Sequence, residues 1–325
     1  MEFRTGAVES MAIKKKVLIT GGAGFIGSHL AEAFITRGYR VYALDIDINP
    51  YSYFAQCSIV QKATYIKQNI CHFDSLSLVF SKIKPDFVYH LAAVSEVLRA
   101  SDNPQLMYET NIQGTVNVLE AARQTSTITG IIVASSDKAY GAQGRKKYRE
   151  TTPLLPTQPY EISKAAADMI SLGYAKSYVL PVAVSRFGNV YGEGDFHLSR
   201  LIPDMIRSCL ENKILHIRSD GKFVRDYLYV KDVVSGYIKL AENIEKAKGL
   251  AFNFGSKDTL SVLQVIQICE KALNKKIKYK ILNTAKSEIP YQSLNYSKAK
   301  KVLNWTPNYQ IKKQIKNIYD WYDRR

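Results

Sequence analysis

The stretch Thr20–Gly27, TGGAGFIG, decides the fold because it lies where an apolar strand, Val17–Ile19, must turn into a helix. Gly21, Gly24 and Gly27 allow the backbone to turn tightly, to approach a pyrophosphate and to pack the new helix on the sheet. The N-terminus of that helix offers free N–H groups and the positive end of its dipole to an anion. The stretch therefore predicts the beginning of a dinucleotide-binding fold.

The next strand indicates which dinucleotide is expected. Arg40–Leu44 predicts a second strand, and Asp45 ends it 24 residues after Gly21. A carboxylate at this place can accept hydrogen bonds from both ribose hydroxyls of an adenosine. No Arg or Lys lies between Arg40 and Lys62 to neutralise a 2′-phosphate. We therefore expect NAD rather than NADP.

Strands and helices continue to alternate beyond the second strand. The predicted strands are Tyr65–Gln68, Asp86–His90, Gly130–Ala134 and Val182–Arg186. The predicted helices are Ser75–Ile83, Leu106–Gln124 and Glu161–Ser177. Apolar strands that alternate with helices are typical of an α/β fold with a parallel, doubly wound Rossmann sheet. Ligands of such sheets gather at the carboxyl ends of the strands.

The regular alternation degrades after position 186, which predicts a second domain. Residues 13–186 are interpreted as the NAD-binding Rossmann domain, to which residues 225–254 return. Residues 187–325 are interpreted as a smaller C-terminal domain that binds the substrate. The active site is expected in the cleft between the two domains.

The composition argues against several other classes of protein. The net charge of +16 comes from scattered lysines rather than from a continuous basic face, so we expect no nucleic-acid partner. No apolar run approaches the roughly 20 residues of a membrane span, so we expect no membrane partner. Four cysteines and five histidines without metal-ligand spacing predict no metal site and fit a reducing cytoplasm. Residues 1–12 lack the apolar region of a secretory signal and are interpreted as a flexible extension.

A tyrosine and a lysine four residues apart form the first candidate catalytic pair. Tyr160 and Lys164 fall on one face of a helix that begins after Pro159. A nearby cation lowers the pKa of a tyrosine, whose reference value is about 10. The pair could then take a proton from a sugar hydroxyl as hydride leaves the carbon. The spacing alone is common in a chain with 22 tyrosines, and its place after a dinucleotide-binding turn gives it weight.

Further motifs occur in a fixed order along the chain. They are Thr20–Gly27, His90–Ala93, Asn111–Thr115, Ser135–Ser136, Tyr160 with Lys164, Arg186–Gly192, Arg225–Asp232 and Tyr296–Trp305. Together they resemble the extended short-chain dehydrogenase/reductase family that acts on nucleotide-linked sugars, over nearly all of residues 15–322. The resemblance implies tightly held NAD, a serine beside the Tyr–Lys pair, here Ser136, and usually a homodimer.

The segment Ser135–Gly141, SSDKAYG, discriminates within that family. Similar 4-epimerases generally have small or uncharged residues after the serine pair, whereas 4,6-dehydratases have two proton-transfer groups there. Asp137 and Lys138 resemble the pair in CDP-glucose 4,6-dehydratases and in certain UDP-N-acetylglucosamine dehydratases. Three segments, Gly188–Asp195, Arg200–Asp204 and Glu288–Leu294, favour the CDP-glucose branch.

The resemblance implies a lyase reaction with NAD as a bound hydride carrier. After oxidation at C4 of an NDP-hexose, Lys138 as a neutral amine removes the C5 proton. Asp137 as a protonated acid gives a proton to the departing 6-hydroxyl, which leaves as water. The product expected is an NDP-4-keto-6-deoxyhexose.

The resemblance also assigns residues to the two ligands. The cofactor residues are Gly21, Gly24, Phe25, Ile26, Gly27, Asp45, Asn69, Ile70, Leu91, Ala92, Ala93, Tyr160 and Lys164. The substrate residues are Ser95, Asn189, Arg200, Arg225 and Glu288. Guanidinium groups suit the substrate diphosphate because they are planar and rich in donors. His90 and Asn111 are expected to bond locally without a chemical role.

Two other functions remain open at this point. In a nucleotide-sugar 4-epimerase, Asp137 and Lys138 would be spectators, for example as an exposed ion pair in a loop. A non-catalytic NAD-binding protein is the second alternative, although Ser136, Tyr160 and Lys164 are all present. Loss of one water from an NDP-hexose distinguishes the dehydratase from both.

Overall fold

The computed structural model describes residues 14–59, 61–95, 103–285 and 288–324. The predicted N-terminal extension, residues 1–12, lies outside these ranges. The large sheet has seven strands, in the order β10-β6-β5-β4-β1-β2-β3, and every neighbouring pair is parallel. These strands are β1 Lys16–Thr20, β2 Arg40–Asp45, β3 Thr64–Lys67, β4 Phe87–His90, β5 Gly130–Ala134, β6 Val182–Phe187 and β10 Ala251–Phe254. The predicted doubly wound Rossmann sheet is confirmed.

The central strands are apolar throughout because helices cover both faces of the sheet. Val17, Leu18 and Ile19 are each 0% exposed. Alternate residues of β1 enter two different hydrophobic clusters, with Val17 and Ile19 in one and Leu18 in the other. Continuous apolar strands of this kind are the pattern of parallel sheets buried on both sides.

The register brings the polar ends of neighbouring strands to one edge of the sheet. Thr20, the last residue of β1, pairs with Leu44 of β2 and with His90 of β4. On the other side of β4, Ala134 of β5 pairs with Ser185 of β6. The glycine-rich turn, Asp45 and the residues after β4 and β5 therefore lie along the same carboxyl edge.

The helices of the first part of the chain surround this sheet. They are α1 Phe25–Thr36, α2 Tyr53–Gln56, α3 Phe73–Ile83, α4 Pro104–Tyr108, α5 Gly114–Arg123 and α6 Pro159–Ser177. The single helix predicted over Leu106–Gln124 is wrong in one respect, because a π-helical turn, Glu109–Gln113, separates α4 from α5. The apolar spacing of a helix does not distinguish a π turn, which widens the helix locally and is frequent at functional sites.

The C-terminal part of the chain builds a second, smaller core. A three-stranded sheet contains β7 Asn189–Tyr191, β9 Val224–Tyr229 and β11 Asp258–Ser261, and a parallel pair contains β8 Leu215–Ile217 and β12 Tyr279–Ile281. The helices here are α7 Leu201–Leu210, α10 Val262–Leu273, α11 Ser297–Leu303 and α12 Ile311–Asp323. Met205, Ile266 and Ile315 are buried together in this core.

The segment 225–254 has contacts with both parts of the molecule. β9 pairs with β7 and β11 in the small sheet, whereas β10 pairs with β6 at the edge of the large sheet. Between them lie α8 Val230–Glu242, which packs against α1, and the short α9 Ile244–Ala247. The division into domains at positions 186 and 187 stays a prediction. None of the helices in the described ranges is both long and apolar enough to cross a membrane.

Candidate active site

The glycine-rich turn packs closely against the backbone of the segment that follows β4. Gly21 has φ of +69°, and a Cβ there would lie 2.7 Å from the backbone nitrogen of Ala92. The backbone N–H of Gly24 donates to the oxygen of Gly21 at 3.2 Å. Helix α1 then begins at Phe25 with no side-chain capping bond, so its first turn offers backbone N–H groups to a phosphate. This geometry fits the pyrophosphate of a dinucleotide.

Asp45 lies at the end of β2 beside the same turn. Its Oδ2 accepts from the N–H of Ala23 at 3.1 Å, and its Oδ1 accepts from the N–H of Ile46 at 2.9 Å. Burial raises the pKa of the Asp45 carboxyl, and these N–H donors oppose the rise. The carboxylate is therefore held at the strand end where the ribose hydroxyls of an adenosine are expected.

The other predicted cofactor residues follow β3 and β4. Leu91 donates its N–H to the oxygen of Thr20 at 3.0 Å, which holds the segment 91–93 against the glycine-rich turn. The side chain of Asn69 bonds to the nearby backbone, because its Oδ1 accepts from the N–H of Cys71 at 2.9 Å. Ile70 is 3% exposed and packs where Gly114 has no side chain. The cofactor roles of these residues stay predictions.

A buried chain of hydrogen bonds connects the turn to the π-helical segment. The Thr115 hydroxyl donates to the oxygen of Asn111 at 2.7 Å and lies 2.9 Å from Nε2 of His90. Nε2 must therefore be the protonated nitrogen, and Nδ1 accepts from the hydroxyl of Thr20 at 2.7 Å. Burial lowers the pKa of His90 to about 3, so the ring stays neutral. As expected from the sequence, His90 bonds locally.

The π-helical turn places Asn111 between two other segments. Its Oδ1 accepts from the N–H of Val94 at 2.7 Å, and its Nδ2 donates to the oxygen of Val94 at 3.1 Å and to Oγ of Ser163 at 3.0 Å. Ser163 donates in turn to the oxygen of Tyr160 at 2.8 Å. Asn111 thus fixes the segment after β4 against the helix that carries Tyr160.

The Asp137–Lys138 pair lies in a 3-10 turn, Asp137–Tyr140, directly after β5. The hydroxyl of Ser136 donates to Asp137 Oδ1 at 3.1 Å and accepts from the N–H of Lys138 at 3.2 Å. Asp137 is 2% exposed, and its Oδ2 is buried with no hydrogen-bond partner among the described residues. The pair therefore does not lie on an exposed loop, and one of its carboxyl oxygens is buried without a hydrogen bond from the described residues.

Lys138 is held by a residue from the far end of the chain. Its Nζ donates to Oε1 of Gln292. Burial, together with the charge of Arg225, lowers the pKa of Lys138 to about 8, against the opposing effect of the nearby carboxylates. A useful fraction of the side chain is therefore a neutral amine close to neutral pH.

Tyr160 and Lys164 are both buried in the first turns of α6. Burial raises the pKa of Tyr160 to about 12, and the charge of Arg200 and a hydrogen bond with Ser136 oppose the rise. Lys164 donates from Nζ to the oxygen of Ala134 at 2.9 Å, and burial lowers its pKa to about 8. The expectation that Lys164 lowers the pKa of Tyr160 is therefore wrong for this structure, because burial dominates and the opposing cation is Arg200.

A second buried network, again of hydrogen bonds, fixes the C-terminal end of the Asp137–Tyr140 turn. Tyr140 is the last residue of the turn, and its hydroxyl accepts from Nη1 of Arg186 at 2.7 Å and donates to Oδ1 of Asn253 at 2.8 Å. Arg186 also pairs with Asp168 through two hydrogen bonds, of 2.7 and 2.8 Å. The turn is thereby fixed to α6, β6 and β10 at once.

The predicted substrate residues fall into two groups. Arg225 is 7% exposed, and its Nη2 lies 3.9 Å from a carboxylate oxygen of Glu288, which also lies 3.6 Å from Arg218. Arg200 contacts both carboxylate oxygens of the buried Asp195 at 3.1 Å. The charges of Arg225 and Arg200 act on Lys138 and Tyr160 respectively, so both groups face the catalytic candidates.

Asn189 and Ser95 lie in less enclosed positions. Asn189 is exposed at the beginning of β7, and Ser95 is half-buried at the end of a described range. Their contacts with a substrate stay predictions, as do those of the arginines and Glu288.

Sequence reasoning missed Gln292, Arg218 and the buried pair of Arg186 with Asp168. Gln292 lies in a segment that the resemblance singled out, yet an uncharged side chain gives no signal of contact with Lys138, 154 residues away. Asp168 and Arg186 are 18 residues apart on different elements, so only the fold brings them together.

Comparisons with known proteins agree with this geometry. The sequence profile of the GDP-mannose 4,6 dehydratase family matches residues 18–318. The CDP-paratose 2-epimerase of Salmonella typhi is 29% identical over 333 residues, which cover 94% of this chain and 98% of that protein.

Two solved structures carry a dinucleotide. The UDP-glucuronic acid 4-epimerase of Bacillus cereus, in complex with UDP-glucuronic acid and NAD, has a TM-score of 0.87 and 28% identity, covering 95% of this chain and 99% of that one. The dTDP-glucose 4,6-dehydratase of Bacillus anthracis, in complex with NAD, has a TM-score of 0.84 and 30% identity, covering 96% and 97%. These relatives include both dehydratases and epimerases of nucleotide sugars. The chain therefore belongs to the GDP-mannose 4,6 dehydratase family, with the fold of the extended short-chain dehydrogenases/reductases.

Proposed function

We propose that the protein is a nucleotide-sugar 4,6-dehydratase that converts an NDP-hexose into an NDP-4-keto-6-deoxyhexose and water. The observation that carries the proposal is the buried Asp137–Lys138 pair. Asp137 keeps one unpartnered carboxyl oxygen, and the pKa of Lys138 is lowered to about 8, chiefly by burial. A buried acid and a buried amine on one turn are the two groups that elimination needs and that simple inversion at C4 does not.

We infer that NAD is bound along the carboxyl edge of the large sheet. The tight turn at Gly21, the uncapped N-terminus of α1 and the carboxylate of Asp45 fit its pyrophosphate and ribose. When bound, NAD accepts hydride from C4 of the sugar and returns it to C6 in the same active site. Leu91 and Ala92 would line this site because they lie against the glycine-rich turn.

Each proton transfer then has a residue of this chain. Tyr160, with Ser136 hydrogen-bonded to it and Lys164 one turn later in α6, takes the proton of the 4-hydroxyl as C4 is oxidised. The new ketone acidifies the C5–H, and Lys138 takes that proton as a neutral amine. Asp137 gives a proton to the 6-hydroxyl, which leaves as water while a C5–C6 double bond forms. Lys138 returns its proton to C5 when C6 is reduced.

The nucleotide and the hexose are proposed to be CDP-glucose-like. The support is the likeness of the SSDKAYG segment to that branch and the similarity to a CDP-paratose epimerase at 29% identity. Arg225 and Arg200 are proposed to bind the diphosphate, and Asn189 and Ser95 to contact the rest of the substrate. Glu288, whose carboxylate lies 3.9 Å from Arg225, is proposed to contact the substrate beside it.

Epimerisation at C4 is the second candidate function, because epimerases are among the similar proteins. Mass spectrometry of purified enzyme with CDP-, UDP-, GDP- and dTDP-hexoses separates the two. A dehydratase gives a product lighter by one water, whereas an epimerase gives a product of unchanged mass. An unchanged mass with inverted C4 would overturn the dehydratase proposal, and no reaction with any of the four would favour a non-catalytic NAD-binding protein.

We further propose that the enzyme acts in the cytoplasm as a homodimer that pairs through the helical segments 106–124 and 160–177. Apolar side chains on the outer surface of α4 and α6 support this, since Leu106 is 46% exposed, Ile162 38% and Met169 64%. Sedimentation equilibrium of the wild type and of Met169→Lys tests it. A monomeric wild type would contradict the assignment.

A further inference from the structure

We propose that Gln292 is a positioning residue whose uncharged side-chain amide fixes the Asp137–Lys138 turn and aims Lys138 Nζ. The inference rests on the proposed function, in which Lys138 takes the C5 proton. Gln292 touches neither the glycine-rich turn nor Tyr160 in the hydrogen bonds of the described residues, so it would act only through the turn.

One amide group contacts both members of the acid–base pair. Oε1 of Gln292 accepts from Lys138 Nζ, and Nε2 donates to the backbone oxygen of Asp137 at 3.2 Å. Gln292 is 0% exposed, so water does not compete for either bond. Because an amide oxygen can only accept, one N–H of Lys138 must point at it, and the lone pair of the neutral amine must point elsewhere.

The backbone around Gln292 is held on two sides. Its N–H donates to the oxygen of Val224 at 3.0 Å, and the N–H of Val224 donates to the oxygen of Pro290 at 2.9 Å. On the other side, the N–H of Tyr148 donates to the oxygen of Ser293 at 2.8 Å. The segment thus lies like a strand between β9 and the residues that follow the Asp-Lys turn.

Asp226 ties the same segment to the arginine proposed for the diphosphate. Its Oδ1 accepts from the hydroxyl of Ser293 at 2.9 Å, and its Oδ2 accepts from the N–H of Leu294 at 2.8 Å. Asp226 directly follows Arg225 in β9. One connected unit therefore joins the proposed diphosphate site to Gln292 and, through it, to Lys138.

The absence of charge on Gln292 matters because charged groups already surround Lys138. They are Arg225 from β9, Asp137 from its own turn, Glu161 from α6 and Glu288 from the segment that carries Gln292. The arginine and burial favour the neutral amine, and the three carboxylates favour the ammonium. A carboxylate in place of the amide would add a negative charge at hydrogen-bond distance and move this balance toward the ammonium.

The test compares Gln292→Glu, which keeps size and reach but adds the charge, with Gln292→Met, which removes both hydrogen bonds. Titration of Lys138 Nζ is followed by NMR in NAD-loaded enzyme labelled at lysine ¹³Cε, with the signal assigned from Lys138→Arg. Deuterium incorporation at C5 in heavy water is measured against pH in parallel. Ser293→Ala is the matched control, because it loosens the same segment without touching Nζ.

We expect Gln292→Glu to raise the midpoint of the Lys138 titration by about 1 pH unit or more. Its C5 exchange at pH 7 should fall about tenfold and recover at higher pH. Gln292→Met should lower the exchange rate at every pH while KM for the sugar nucleotide stays near that of the wild type. Ser293→Ala should leave the titration midpoint unchanged.

The outcomes separate this inference from the proposed function. An unchanged Lys138 midpoint in Gln292→Glu, with normal NAD binding as the check on folding, overturns the positioning role. If the Lys138 midpoint shifts in Gln292→Glu but the wild-type enzyme never removes water from any NDP-hexose, the contact is supported and the dehydratase proposal is overturned. Wild-type exchange at all pH values in Gln292→Met also overturns the positioning role.

Discussion

Replacement of Lys138 by methionine should separate oxidation at C4 from loss of water. Methionine keeps much of the apolar length of the side chain but removes the nitrogen that donates to Gln292. With a pKa of about 8, about one tenth of Lys138 is neutral at pH 7, and a positioned base contributes about 10²–10⁴ in rate. We therefore expect elimination to slow by about 10²–10⁴-fold, while oxidation at C4, which relies on Tyr160, continues.

The pH dependence of the wild type follows from the same shift. The neutral amine is the active form, and its fraction increases as pH rises through the pKa of about 8. Elimination should accordingly increase roughly tenfold between pH 7 and 9, and this rising limb should be absent in Lys138→Met.

The assay follows reduced nicotinamide by absorbance and C5 deuterium by mass spectrometry in heavy water. Lys138→Met should accumulate enzyme-bound NADH and place no deuterium at C5. Lys298→Met is the matched control, because burial also lowers the pKa of Lys298 but its Nζ donates to the oxygen of Ala251 at 2.8 Å. The control should behave as the wild type. Full water loss and C5 deuterium in Lys138→Met would refute the reasoning.

Three further predictions concern cofactor choice, oxidation and stability. Asp45→Ala should reduce the preference for NAD over NADP, which is measured by titrating apo-protein with each cofactor. Equal affinity of the wild type for NAD and NADP would contradict the assignment of NAD. Tyr160→Phe should lose turnover at the first oxidation yet bind NAD normally, and near-wild-type turnover would show that another group takes the proton. Asp168→Asn leaves Arg186 buried without its ionic partner and should lower the free energy of unfolding by about 3–5 kcal/mol in urea titration. Asp204→Asn, which removes a half-buried carboxylate paired with the exposed Arg207, should cost about 1 kcal/mol or less, so equal losses would argue against this reasoning.

The large sheet could be predicted from the sequence because its signals are local. Val17–Ile19 is a continuous apolar run that ends in glycines, and each part of that pattern has a direct structural consequence. Asp45 could be placed at the strand end for the same reason. The π-helical turn Glu109–Gln113 could not be predicted, because the stretch keeps the spacing of an ordinary helix.

The properties of the site residues depend on burial, which the sequence does not state. Spacing places Lys164 near Tyr160 and suggests a lowered pKa for the tyrosine, yet burial raises that pKa to about 12. The identity of the residue that holds Lys138 depends on the path of the chain 154 residues later. Local pattern therefore identifies which residues are at the site, and tertiary packing decides their protonation.

The proposal of a dehydratase rather than an epimerase depends on how Asp137 and Lys138 are packed, and not only on their presence in the sequence. An Asp-Lys dipeptide on an exposed loop would exchange protons only with water, and its charges would be screened. Here the network of Asp168, Arg186 and Tyr140 holds the turn from one side and Gln292 holds it from the other. With the surrounding backbone and side chains bonded, Asp137 Oδ2 has no hydrogen-bond partner within the described part of the chain, at the edge of the sheet where the sugar is expected. Burying a carboxyl oxygen without a partner is unfavourable, so a substrate hydroxyl that bonds to it would relieve a cost already present in the folded protein.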